Sequence, residues 1–129
     1  MQALGRNLAG ELAGGAVVGL DGDLGAGKTE FVKGLAAGMG FEGVVTSPTF
    51  TLLHEYEAGA RTLYHLDFYR VEHGEEILAL GWDELLEEPT GVVVVEWAGK
   101  FPELLPPEAL RLRIEMQPSG ERQLLCDSA

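Results

Sequence analysis

The spacing of apolar residues changes period along this chain, and each change marks an element. Leu4, Leu8 and Leu12 recur every four residues with Arg6 and Glu11 outside the stripe, which predicts a helix over residues 1–13. Gly14-Gly15 breaks it, and Ala16-Val17-Val18-Gly19-Leu20 is an apolar run of strand length. From Thr29 to Met39, Phe31, Leu35 and Met39 fall four apart with Val32 and Ala36 beside them, one face of a second helix. Gly40 stands where a left-handed cap belongs. Residues 46–50, Ser and Thr around Pro48, read as a loop. Residues 51–57 and 61–69 then read as two strands joined through Ala58-Gly59-Ala60. In the second arm Leu63, His65, Asp67 and Tyr69 share one face, and Tyr64, Leu66, Phe68 and Arg70 the other.

Residues 74–88 return to a helical pattern, with Ile77, Leu80, Leu85 and Leu86 among many acids until Pro89 ends it. Gly91-Val92-Val93-Val94-Val95-Glu96 is continuously β-branched, as expected of a strand covered on both faces. After a proline-rich turn over 101–107, Leu110 to Met116 and Arg122 to Cys126 form a closing hairpin through Pro118-Ser119-Gly120. Cys126 reads as a structural residue of that last strand. This order predicts one α/β domain over residues 1–129, with a mixed sheet, antiparallel edge hairpins and helices on both faces.

Between the first strand and the second helix lies Gly22-Asp23-Leu24-Gly25-Ala26-Gly27-Lys28-Thr29, which fits G-x-x-x-x-G-K-[ST]. Glycines let bare backbone approach a phosphate, and the following helix points its unpaired amides and positive dipole end at it. In such a loop Lys28 reaches the β- and γ-phosphates and the Thr29 hydroxyl binds Mg²⁺. The expected fold is therefore P-loop NTPase-like, with the sheet parallel around this loop. No Asn-Lys-x-Asp guanine-reading tetrad is present, Asn7 being the one asparagine, which favours ATP.

A nucleotide hydrolase also needs a carboxylate for the metal and a group that orients water. Asp67 and Glu96 both end apolar strands, where ligands of parallel sheets gather. Asp67 is the shorter and suits close contact with Mg²⁺; Glu96 reaches further and suits either the metal or a water. Thr49, after Pro48, is a candidate for a switch-like contact, and Trp97 for the lining of the site. His65 reads as a satisfied structural histidine and Arg70 as a surface cation.

Composition adjusts this picture in two ways. The net charge of −12 makes the chain a poor direct ligand of nucleic acid and suits docking on a basic protein surface. A single cysteine, no signal-like N-terminus and no apolar run near ~18 residues predict a cytoplasmic protein with no membrane contact.

Four segments in this order, the loop at 22–29, Ser47-Pro48-Thr49-Phe50, His65-Leu66-Asp67-Phe68-Tyr69-Arg70 and Glu96-Trp97, resemble the TsaE (formerly YjeE) family across essentially the whole chain. The resemblance implies a Mg²⁺-dependent P-loop ATPase of tRNA threonylcarbamoyladenosine biosynthesis. It implies action with TsaB and TsaD at adenosine 37 of ANN-decoding tRNAs, touching tRNA only through those partners. It also implies that Lys28 and Thr29 bind phosphate and Mg²⁺, that Asp67 serves the metal, and that Thr49, Glu96 and Trp97 lie at the catalytic site. Two other readings share the loop: a small nucleoside or metabolite kinase, which needs an arginine-bearing lid that does not stand out here, and a nucleotide-sensing module with negligible turnover.

Overall fold

A computed structural model describes residues 1–23, 25 and 27–126, so Leu24 and Ala26 of the glycine-rich loop lie outside the described residues. Six strands, β1 Val17–Asp21, β2 Leu53–Ala58, β3 Arg61–Asp67, β4 Gly91–Glu96, β5 Leu110–Met116 and β6 Arg122–Cys126, form one sheet in the order β2-β3-β4-β1-β5-β6. The central pairings β3–β4, β4–β1 and β1–β5 are parallel, and β2–β3 and β5–β6 are antiparallel edges. The mixed sheet expected from the element order is the one observed.

Helix α1 (Gln2–Ala9) and α2 (Lys28–Met39) cover one face. On that side Val18 and Leu20 of β1, Leu63 of β3 and Val92 and Val94 of β4 pack against Phe31, Val32, Leu35, Ala36 and Met39. Those five residues are the apolar face expected of α2, and all are buried. Gly40 closes the helix with φ 107°, its amide bonded back to Ala37. On the other face Val93, Val95, Leu66 and Phe68 pack against Ile77 and Trp82 of α3 (Gly74–Leu78) and α4 (Trp82–Glu87). The valine run of β4 is buried on both sides, as its sequence predicts.

Several boundaries differ from expectation for identifiable reasons. The first helix stops at Ala9, not residue 13, and its leucine stripe is packed only in part: Leu8 and Leu12 lie half-buried against the core and Leu4 is 41% exposed, while Gly5 and Ala9 are buried. Small residues face α2 because the helices touch backbone to backbone. A Cβ at Gly34 would stand 1.9 Å from the Gln2 carbonyl oxygen, and one at Gly5 2.1 Å from that of Phe31. The segment expected as one helix over 74–88 is two, turned at Gly81 in the left-handed region (φ 90°) so that Trp82 is buried and its indole N–H donates to the Leu104 carbonyl.

The β2 strand begins at Leu53 because Leu52 is itself left-handed (φ 69°), with its amide bonded to the Pro48 carbonyl at 2.7 Å. The β3 strand ends at Asp67, not Tyr69, while Cys126 is the last residue of β6, as expected, and is exposed. A 3₁₀ turn at Ala98–Lys100 precedes the proline-rich turn, and another, Pro102–Leu104, lies within it. Among the described residues no helix is long and apolar enough to cross a membrane.

Candidate functional site

Parallel pairing aligns the ends of three strands. Leu20 of β1 and Asp67 of β3 both sit beside Glu96 of β4, so the end of β4 lies between the chain leading into the glycine-rich loop and the Asp67 carboxylate. Alternation along β3 and β4 then turns Asp67 and Glu96 toward the α2 face, in phase with Leu63 and with Val92 and Val94. Helix α2 begins at Lys28 on the same side, with Gly27 as its N-cap in the left-handed region (φ 109°). There glycine spares the chain the crowding a Cβ would bring, since one at Gly27 would meet the side chains of Met1 and Arg122 at 3.0 and 3.2 Å.

The result is an open cleft of about 350 Å³ lined by Gly25, Gly27, Lys28, Thr29, Asp67 and Glu96, among others. Lys28 is only 5% exposed. Its ammonium donates to the carbonyls of Gly22 and of Asp23 (2.9 Å) and lies 4.3 Å from the centre of the Trp97 ring. Burial holds its pKa below the usual lysine value, against the opposing pull of Glu96, Asp67, Asp21 and Asp23. Trp97 reaches this position by a left-handed turn directly after β4 (φ 59°), and its ring packs on Tyr69 with centroids 4.9 Å apart. A non-glycine residue held in that region at the mouth of a cleft is the kind of local strain that clusters at functional sites.

The two carboxylates have different neighbours. Asp67 accepts hydrogen bonds from the Ser47 and Thr49 hydroxyls at 3.2 and 3.0 Å and from the Tyr69 amide at 2.8 Å. Glu96 is 3% exposed; the Thr29 hydroxyl lies 3.2 and 3.3 Å from its two oxygens, and His65 Nε2 is 2.6 Å from Oε2. The expected residues Gly22, Asp23, Gly25, Gly27, Lys28, Thr29, Thr49, Asp67, Glu96 and Trp97 thus lie around one cleft or in the loop that borders it.

The donor set of Thr29, Asp67 and Glu96 is oxygen only, which suits a hard divalent cation. Among the described residues no three His, Cys, Asp or Glu side chains form an all-protein metal cage. Mg²⁺ commonly does without one, taking one or two carboxylates and completing its shell with phosphate and water. The residues present therefore fit magnesium carried on a polyphosphate.

Three contributors were not legible as such. His65 was distinguishable only by sharing the alternating face of Asp67 and by standing in a segment that carries the family resemblance. Tyr69 lines the cleft from just beyond the strand that was expected to contain it. Arg122, on the far edge strand, reaches the Gly25 carbonyl at 3.4 Å across 97 residues of sequence, and no local pattern signals that contact.

Comparisons with known proteins agree over nearly the full length. A family model described as "Threonylcarbamoyl adenosine biosynthesis protein TsaE" matches residues 1–124. The tRNA threonylcarbamoyladenosine biosynthesis protein TsaE of Bacillus subtilis is 47% identical over 110 residues, 85% of this chain and 68% of the relative. Its counterpart in Treponema pallidum is 44% identical over 110 residues, 85% of this chain and 80% of the relative. The crystal structure of Bacillus subtilis YdiB superposes with a TM-score of 0.81 at 38% identity, covering 97% of this chain and 76% of the other. With its glycine-rich loop, its paired strand-end acids and this breadth of similarity, the chain belongs to the TsaE family of threonylcarbamoyladenosine biosynthesis proteins.

Proposed function

We propose that this cleft binds ATP as its magnesium complex and hydrolyses it, and that the chain supplies this activity, with TsaB and TsaD in the cytoplasm, to the formation of N6-threonylcarbamoyladenosine on tRNA. The observation that carries the reading is the meeting of Lys28, Thr29, Asp67 and Glu96 in one cleft from α2, β3 and β4. Membership in a family named for that tRNA modification supports the setting.

In this reading Gly22, Asp23, Leu24, Gly25, Ala26 and Gly27 offer backbone to the phosphates, and Lys28 and the start of α2 add positive charge. Bound magnesium would neutralise charge developing on the transferred phosphoryl group. Thr29, Asp67 and Glu96 are the residues that would hold it. Glu96, within reach of both Thr29 and the open cleft, is also suited to orienting a water. Thr49, hydrogen-bonded to Asp67 from a loop tied back through Leu52, is suited to report the state of the site to a partner surface.

Calorimetric titration with Mg·ATP tests the core of the proposal. Saturable binding is expected and should disappear in Lys28→Ala. Phosphate should be released to water, with no gain in rate from small nucleoside or metabolite acceptors and a rise when TsaB and TsaD are added. A chain that shows no saturable complex with Mg·ATP would end this reading.

A further inference from the structure

His65 is 0% exposed in the middle of the sheet, two residues before Asp67 and opposite Val94 of β4. Its Nε2 lies 2.6 Å from Glu96 Oε2, while its Nδ1 is buried with no hydrogen-bond partner among the described residues. Donation to a carboxylate places a hydrogen on Nε2. An apolar side chain would fill this buried position on the α2 face without stranding a polar atom there, so packing alone does not favour an imidazole. What the imidazole does is hold one carboxylate oxygen.

We propose that His65 is a positioning residue for Glu96, gripping Oε2 from the buried side so that the carboxylate is held against the Thr29 hydroxyl at the cleft with Oε1 free of the imidazole. The inference rests on the reading of Glu96 as part of an ATP site. A glutamate carboxylate rotates broadly about its last torsion. Here the grip at Oε2 fixes that torsion, with the Thr29 hydroxyl 3.2 Å from Oε2 and 3.3 Å from Oε1, so that Oε1 is the oxygen left without an imidazole contact. The imidazole is in turn seated beside the Tyr56 ring, centroids 6.2 Å apart, and the Tyr56 hydroxyl is 3.2 Å from both the amide and the carbonyl of Thr46. Ring, carboxylate and the loop carrying Ser47 and Thr49 therefore form one braced unit. Orienting a reactive or metal-binding carboxylate through a second side chain is a recurrent device, and its removal characteristically costs 10–100-fold in affinity or activity.

The test compares His65→Leu, His65→Gln and His65→Asn in the full chain, alone and with Glu96→Ala. His65→Leu should lower kcat roughly 10–100-fold while leaving the Kd for ATP without magnesium within about twofold. His65→Gln, whose amide N–H can occupy the Nε2 position, should recover most of the loss, and the shorter His65→Asn should not. Added to Glu96→Ala, His65→Leu should change kcat by less than about twofold, because the residue it acts through is already gone. Long-range ¹H–¹⁵N spectra of the nucleotide-free protein should show the His65 proton on Nε2 and a signal that shifts in Glu96→Ala.

A proton found on Nδ1 instead, equal activities for the Gln and Asn variants, or a His65→Leu loss that adds in full to Glu96→Ala would overturn the proposal. If His65→Leu does not fold, the Gln–Asn comparison and the spectra decide. Failure of these alongside normal Mg·ATP binding by the wild type removes only the role of His65; absence of that binding removes both readings.

Discussion

Lys28 shows what the site costs the fold. Its ammonium is buried, and desolvation outweighs the pull of four nearby carboxylates, so its pKa lies below the value of 10.5 it has in the unfolded chain. Between the lowered pKa and 10.5 the unfolded chain binds more protons than the native one, so stability rises with pH through that window. At neutral pH the penalty is present in full. Lys28→Met should accordingly raise Tm by a few degrees near pH 7, and the advantage should shrink near pH 10, as calorimetry at the two pH values would show. Under the proposed function the same variant should lose nucleotide binding, a trade of stability against function that is common at such sites.

The acids separate by their neighbours in the same way. Glu96→Ala should spare nucleotide binding and lower kcat by about 10²–10³-fold, as when an interaction made mainly in the transition state is lost. Asp67→Ala should remove Mg²⁺ dependence together with turnover. Single-turnover kinetics at varied magnesium distinguishes the two, and an Asp67→Ala variant as active as wild type would mean that their roles are exchanged.

At the level of elements, the contact that most constrains the molecule is that between α1 and α2. A Cβ at Gly34 would lie 1.9 Å from the backbone oxygen of Gln2, and one at Gly38 2.7 Å from the Ala9 Cβ. Backbone cannot yield as a flexible side chain can. Gly34→Val should push α1 away from α2 and cost roughly 3 kcal/mol or more, above the usual range for overpacking because main chain is the obstacle, measured by urea unfolding. A value near zero would mean that α1 is not seated on α2 as described. The stripe of Leu4, Leu8 and Leu12 identifies a helix correctly and puts Leu8 and Leu12 against the core, but it passes over the most deeply buried positions, since periodicity cannot register that the closest packing is made by residues with little or no side chain.

Across the whole molecule, charge sets the terms of association. With 21 acidic residues against 9 basic ones, the net charge of −12 opposes approach to a phosphate backbone. The isolated chain should therefore show no saturable binding of tRNA at about 0.15 M salt, in filter-binding or mobility-shift assays. Tight binding under those conditions would mean that the chain contacts tRNA itself rather than through a basic partner.

Local chemistry was enough to identify the parts. Gly22 to Thr29 carries its own meaning because glycines, a lysine and a hydroxyl at that spacing suit one kind of ligand, and four successive valines announce a strand buried on both faces. Alternation likewise assigned the two faces of β3, which the two cores bear out. Distances between parts follow other rules. Parallel pairing, not any feature of residues 67 and 96, brings Asp67 and Glu96 side by side. Folding of the far edge strand brings Arg122 to Gly25, and a glycine-lined approach of two helices decides which side of α1 is inside. His65 stands at the boundary of the two kinds of information: its face was readable from alternation, but the carboxylate it holds, 31 residues further on, exists for it only once the sheet has formed.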